Sequence, residues 1–174
     1  MLDCFTHTGA FALNAARGGA VSVTAVDISA DAVAMTVANA KLNGLENKVQ
    51  ALEANVFDLL TQLDDKNSHD YDFIILDPPA FTKSSSTVVN ALRGYKEINL
   101  KAMKLLPRGG YLATCSCSHF MKEDLFIKML HDAAADAAVS LRQVEIRQQS
   151  PDHPVLWNVP ETFYFPSSLT ICHK

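Results

Sequence analysis

Two short segments of this sequence combine residues that could do nucleophilic chemistry. One is Ile74-Ile75-Leu76-Asp77-Pro78-Pro79-Ala80-Phe81 and the other is Thr114-Cys115-Ser116-Cys117-Ser118. Neither proline of an Asp-Pro-Pro turn has a backbone N–H, and both rings are rigid. The turn therefore offers carbonyls and a fixed Asp77 carboxylate to a flat, donor-bearing partner such as a nucleobase. A Pro-Pro pair also ends a strand for purely structural reasons; its place after four apolar residues favours the functional reading. Alternation along a strand puts Cys115 and Cys117 on one face, with Cys117 nearer the edge. Neighbouring strands lie ~4.8 Å apart, so the Cys117 thiol and the Asp77 carboxylate can share a pocket. Attack needs the thiolate, and a free cysteine is mostly protonated at neutral pH, so Cys117 requires a lowered pKa or a proton acceptor. Cys115 and Cys4 read as small buried hydrophobes.

Other polar residues stand where apolar runs end: Asp3, Asp27 after Val21–Val26, and Asn55 after Val49–Ala54. The elements that must position them alternate. Expected strands are Val21–Asp27, Val49–Ala54, Phe73–Asp77, Gly110–Cys117, Leu141–Arg147 and Thr162–Phe165, and expected helices are Ala10–Arg17, Ala30–Asn43, Val56–Gln62, Thr87–Leu106 and Lys122–Ala138. Ser29 is a natural N-cap, and Asn43-Gly44 and Pro107 with Gly109-Gly110 are natural stops. This pattern predicts an α/β fold with a mostly parallel sheet and helices on both faces. The run ends then share one edge, where open α/β sheets bind ligands. Asp27 is placed to accept both hydroxyls of a ribose and Asn55 the amino group of an adenine, with helix capping as the bland alternative for Asp27 and Ser29. Only Met1, Leu2 and Asp3 stand before the first turn, against ~5–6 residues in a usual strand, so the chain reads as a domain truncated in its first strand.

The chain has 174 residues, 48% of them apolar and 20% charged, which suits one α/β domain. No apolar stretch approaches the ~20 residues of a membrane span, and Met1-Leu2-Asp3 does not begin a secretory leader. Net charge is −4 with the basic residues scattered, so a grip on nucleic acid must come largely from elsewhere. The four cysteines form no Cys-x-x-Cys pair, which argues against zinc and for a reducing, cytoplasmic setting.

The turn Asp3-Cys4-Phe5-Thr6-His7-Thr8-Gly9-Ala10-Phe11 has the spacing D-x-G-x-G-x-G of Rossmann-like methyltransferases, with Phe5 and His7 in two of the glycine places and only Gly9 kept. A dinucleotide fingerprint is absent, which disfavours NAD. Further matches are Gly18-Gly19-Ala20, Val26-Asp27-Ile28-Ser29, Leu42-Asn43-Gly44, Val56-Phe57-Asp58, Leu76–Phe81, Arg93-Gly94-Tyr95-Lys96-Glu97-Ile98-Asn99, Ser116-Cys117-Ser118, and Asp152-His153-Pro154 with Pro160-Glu161. On these residues the chain resembles the catalytic domain of the bacterial large-subunit ribosomal RNA cytosine-5 methyltransferases that carry an N-terminal PUA domain.

The resemblance implies a Rossmann-like class I methyltransferase fold with a seven-stranded sheet, a single methyltransferase domain over residues 1–174, and no PUA domain in this sequence. It implies S-adenosylmethionine as cofactor, held by Asp3, Phe5, Thr8, Gly9, Phe11, Asp27, Ile28, Ser29, Asn55, Val56 and Asp77. It makes Cys117 the nucleophile on carbon 6 of cytosine and Asp77 the group that holds the base, with no metal. Pro78, Pro79, Phe81, Arg93, Tyr95, Lys96 and His153 would meet the RNA, though a solvated helix surface and a structural histidine are the plain readings of the last four. The implied partner is large-subunit ribosomal RNA, with no membrane and with self-association left open. Phe165-Pro166-Ser167-Ser168 departs from the family's closing strand, while the lack of cysteine within Asp77–Phe81 agrees with it. Two alternatives stand beside this one. Amino-group methylation of a base or of glutamine would use the Asp-Pro-Pro turn without a cysteine, and a clipped domain would bind cofactor without catalysis.

Overall fold

The computed structural model describes residues 1–82, 84–116, 120–147, 154, 156–159 and 169–174, with backbone only at 85 and 169–172. Strands β1 (Leu2–Cys4), β2 (Val23–Asp27), β3 (Val49–Glu53), β4 (Phe73–Leu76), β5 (Tyr111–Thr114), β6 (Arg142–Arg147) and β7 (Leu169–His173) alternate with helices α1 (Ala10–Arg17), α2 (Ala30–Leu42), α3 (Val56–Asp65), α4 (Val88–Leu105) and α5 (Glu123–Asp136) up to β6. The caps expected from sequence are in place. Ser29 Oγ accepts the Ala32 N–H at the start of α2, and Asp31 in the first turn suits the positive end of the helix dipole. In α4 the buried positions Ala91, Tyr95, Ile98, Ala102 and Leu105 recur at three- and four-residue steps, the stripe of a helix packed on a sheet.

The sheet has the order β3-β2-β1-β4-β5-β7-β6. Strands β1 to β5 are parallel, and β7 runs antiparallel between β5 and β6. One layer packs α3, α4 and α5 on Leu2, Cys4, Val26, Ile74, Leu76 and Leu112. The other packs Ala12 and Ala16 of α1 and Ala40 of α2 on Val23, Ala25 and Val49. Helices therefore cover both faces, and the order is that of a Rossmann-like, doubly wound sheet. The winding reverses between β1 and β4, whose register is Leu2↔Ile74, Asp3↔Ile75 and Cys4↔Leu76. The crevice beyond the carboxyl ends of these two strands is where such a sheet takes its ligand.

One strand is shorter than expected and another expected strand is not among the described residues. The strand expected over Gly110–Cys117 ends at Thr114, and the closing strand expected at Thr162–Phe165 falls outside the described residues. The strand seen near the end of the chain is Leu169–His173.

Candidate active site

The turn after β1 has left-handed backbone at Phe5 (φ 64°), His7 (φ 50°) and Gly9 (φ 87°), the three places where the methyltransferase spacing puts glycine. A non-glycine residue pays about 1–2 kcal/mol for that conformation, so the turn must be held. Asp3 Oδ2 accepts the Thr6 hydroxyl at 2.6 Å and the Ala12 N–H at 3.0 Å. The Thr6 N–H donates to the Val26 carbonyl at 2.9 Å. Asp27 Oδ2 accepts the His7 N–H at 2.9 Å while its Oδ1 accepts the Ser29 N–H at 3.0 Å. Asp27 thus ties the two turns that flank the crevice, and Thr6, which the sequence reading passed over, braces the first from inside.

Asp3 is 0% exposed, and its Oδ1 is buried with no hydrogen-bond partner among the described residues. Burial pushes its carboxyl up to about 6, the bonds from Thr6 and Ala12 oppose the rise, and the charges of Asp77 and Asp27 add to it. Three carboxyl groups therefore converge on the switch point.

On the other side of the crevice, the Asp77 N–H lies 3.4 Å from the Cys4 carbonyl, and the Cys115 N–H donates to the Leu76 carbonyl at 2.8 Å. The Cys115 thiol bonds the Asp77 side chain; burial raises that carboxyl and the thiol bond partly offsets the rise. Cys115 is buried as expected, but it also holds the acid that faces the crevice. Only the register Leu76↔Thr114 reveals that contact. Cys117 and His153 lie outside the described residues.

Pro78 is buried and Pro79 exposed, while Phe81 turns partly inward. Its ring centroid is 4.6 Å from that of Tyr95, 5.8 Å from Phe57 and 6.4 Å from Phe5. Gly94 makes room for it: a Cβ there would stand 3.3 Å from Phe81 Cδ2. Tyr95 does not face RNA as expected. It is 0% exposed, packs edge-on against Phe126, and its hydroxyl accepts the Ser116 hydroxyl at 3.3 Å. It is a strut between the Asp77 turn and the strand end that leads to Cys117. Lys96 is engaged with Asp136 of α5 at 2.7 Å, and Arg93 is exposed.

The remaining expected residues divide. Ile28 is 69% exposed, an apolar surface beside Asp27 at the crevice. Ser29 and Asn55 cap helices, the Asn55 side chain accepting the Phe57 N–H at 2.9 Å. The Val56 side chain is in the core, so only its backbone reaches the edge. Phe11 is not among the residues gathered here. It lines a groove of about 600 Å³ with Met1, Ala15, Phe73 and Ile75, beside the amino ends of β1 and β4. Among the described residues no three His, Cys, Asp or Glu side chains are placed to hold a metal ion, and no helix is long and apolar enough to cross a membrane.

A family model described as S-adenosylmethionine-dependent methyltransferase matches residues 1–160. The chain belongs to this family. Curated relatives of this methyltransferase chain include the ribosomal RNA large subunit methyltransferase I of Aeromonas salmonicida, 43% identical over 165 residues, and that of Shewanella denitrificans, 46% identical over 165 residues. Each alignment covers 94% of this chain and 41% of the relative, so the chain spans about two fifths of their length. Among solved structures, a methyltransferase complexed with SAH superposes with a TM-score of 0.83 at 24% identity, over 98% of this chain and 44% of that one, a likeness of fold.

The residues of this methyltransferase domain fit a cationic cofactor. S-adenosylmethionine bears a sulfonium and an ammonium against one carboxylate, and the buried Asp3 oxygen without a partner among the described residues, close to two further acids, favours a net positive guest. The free domain carries the cost of that arrangement. Because the carboxyl of Asp3 in the folded chain sits above its ordinary 3.8, its contribution to stability is full below about pH 4 and is lost as pH rises through about 6. Between pH 5 and pH 7 the domain is expected to lose about 1 kcal/mol more stability than its Asp3→Asn variant. Urea unfolding at the two pH values measures the difference, and parallel curves for the two proteins would refute it.

Proposed function

We propose that this domain transfers a methyl group from S-adenosylmethionine to carbon 5 of a cytosine in large-subunit ribosomal RNA, with Cys117 as nucleophile and Asp77 holding the base. The observation that carries the reading is the register of β4 on β5. It sets Asp77 against the Cys115 thiol, and Cys117 follows two residues later in the sequence. The names of the 43–46% identical relatives support the substrate class.

Carbon 5 of neutral cytosine is a poor nucleophile, and covalent addition at carbon 6 corrects this. The Cys117 thiolate forms a bond to carbon 6, and the electron pair of the carbon 5–carbon 6 double bond shifts into the ring, leaving carbon 5 electron-rich. The cofactor, when bound, supplies a methyl group made electrophilic by the sulfonium. After transfer, a base removes the proton of carbon 5, the double bond re-forms, and the thiolate leaves. Asp77 holds the ring nitrogen or the amino group through these steps and stabilises the adduct. Asp3 and the left-handed turn from Phe5 to Gly9 receive the charged end of the cofactor. Each Asp27 oxygen accepts one N–H and keeps a lone pair for a ribose hydroxyl. Asn55 and Ile28 take the adenine, with Thr8, Ser29 and Val56 contributing backbone.

The target base must be splayed from its stack, and Pro79, Arg93 and the rim of the Asp77 turn are the surfaces offered to it. With a net charge of −4 and scattered basic residues, the phosphate grip has to come largely from outside these 174 residues, and the reading sets the activity beside ribosomes in the cytoplasm. The test is product identity. The full-length protein is incubated with a large-subunit ribosomal RNA transcript and labelled cofactor, and the nucleosides are resolved by mass spectrometry. The expected product is 5-methylcytidine; a cytidine methylated on its amino group would overturn the carbon 5 assignment.

A further inference from the structure

Helix α2 reaches across to the turn after β1 with two polar side chains one helical turn apart. Thr36 Oγ1 lies 3.0 Å from the His7 carbonyl and 3.0 Å from the Ala32 carbonyl of its own helix, its one proton shared between them. Asn39 Nδ2 donates to the Thr8 carbonyl at 3.0 Å. Thr36 is 0% exposed, and its methyl group fills the space a Gly9 Cβ would need, 2.8 Å away. The carbonyls engaged belong to consecutive residues, and the first of them, His7, has a left-handed backbone without being glycine.

We infer that Thr36 and Asn39 are positioning residues that clamp the cofactor turn in its left-handed form, doing by hydrogen bonds from α2 what glycine at residue 7 would do by conformational freedom. Asp27 accepts the His7 N–H and Thr36 donates to the His7 carbonyl, so the residue is gripped at both ends. Neither clamp residue touches the reacting atoms. Their effect on catalysis runs through the shape of the turn and hence through cofactor affinity.

The inference rests on the cofactor lying at this turn, and the experiment separates the two. Calorimetry with S-adenosylhomocysteine gives Kd for the wild type, for Thr36→Val/Asn39→Ala, for His7→Gly, and for the three substitutions together, with a thermal melt of each. Removing the clamp is expected to weaken binding about tenfold in the presence of His7, the effect of hydrogen bonds of ordinary strength. In the His7→Gly background the same removal is expected to cost less than about threefold, because glycine holds a positive φ unaided. An equal loss in both backgrounds, or no loss in either, overturns the clamp. Asp27→Ala is the control: if it leaves Kd unchanged as well, the cofactor is not at this turn and the clamp falls with that reading. Should the double clamp variant not fold, Asn39→Ala alone, at a half-buried position, carries the same expectation in smaller measure.

Discussion

Replacement of Cys117 by alanine is expected to reduce methyl transfer on the order of 10⁴-fold or more, to below detection, while leaving the affinity for S-adenosylhomocysteine within about twofold. The two readouts part because they draw on different strand ends. Cofactor affinity is assigned to the turns after β1, β2 and β3. The proposed covalent addition uses a thiol that follows β5 in the sequence, and β5 lies on the far side of the switch point from β2 and β3. Alanine takes away the sulfur that must bond carbon 6 and adds no bulk. Transfer unchanged in Cys117→Ala would reject the covalent mechanism outright. Loss of both activities would mean that the residue supports the fold and not the chemistry. A filter assay with labelled cofactor and ribosomal RNA reads the first quantity, and calorimetry the second.

Gly9→Ala is expected to cost about 2–4 kcal/mol of stability and to weaken cofactor binding by about two orders of magnitude. Two effects combine. The added methyl would sit 2.8 Å from Thr36 Cγ2, a side chain that is fully buried and has no room to retreat. The backbone at φ 87° is also one that an alanine adopts only at a penalty. Gly19 and Gly109 also have positive φ, but a Cβ at either would meet nothing within 4 Å, so alanine there should cost only the conformational part. Chemical unfolding of the three variants side by side makes the comparison. A Gly9→Ala protein no less stable than Gly19→Ala would show that the contact with α2 is slack.

Much of the architecture was legible because each apolar run is short, bounded by glycine, proline or a cap, and too brief for anything but a strand in a two-faced sheet. The turn at Asp3–Phe11 was legible by spacing alone. Phe5 and His7 take the glycine conformation despite their identity, so the backbone followed the position and not the residue type. Tyr95 was misread. The resemblance implies that it meets RNA beside Arg93 and Lys96, yet the helical period through Ala91, Ile98 and Ala102 places it on the buried stripe. The partner of Lys96 is on α5, and the thiol against Asp77 comes from the adjacent strand. Pairings of that kind depend on packing angles and register, which no local pattern carries. Thr36 and Asn39 left a fainter trace, two polar residues at a three-residue step in an alanine-rich helix, indistinguishable by eye from solvent-facing ones.

The antiparallel seventh strand has a consequence for assembly. Strand β5 meets β7 through Tyr111↔His173, Leu112↔Cys172, Ala113↔Ile171 and Thr114↔Thr170, and β6 is joined to the sheet through β7. Until the ribosome has released residues 169–173, β5 has one flank of unmatched amides and carbonyls, and β6 has nowhere to dock. Such an open flank is a template for wrong pairing, and contacts so distant along the chain form slowly. The open flank of β5 is thus closed by the strand that comes latest in this sequence.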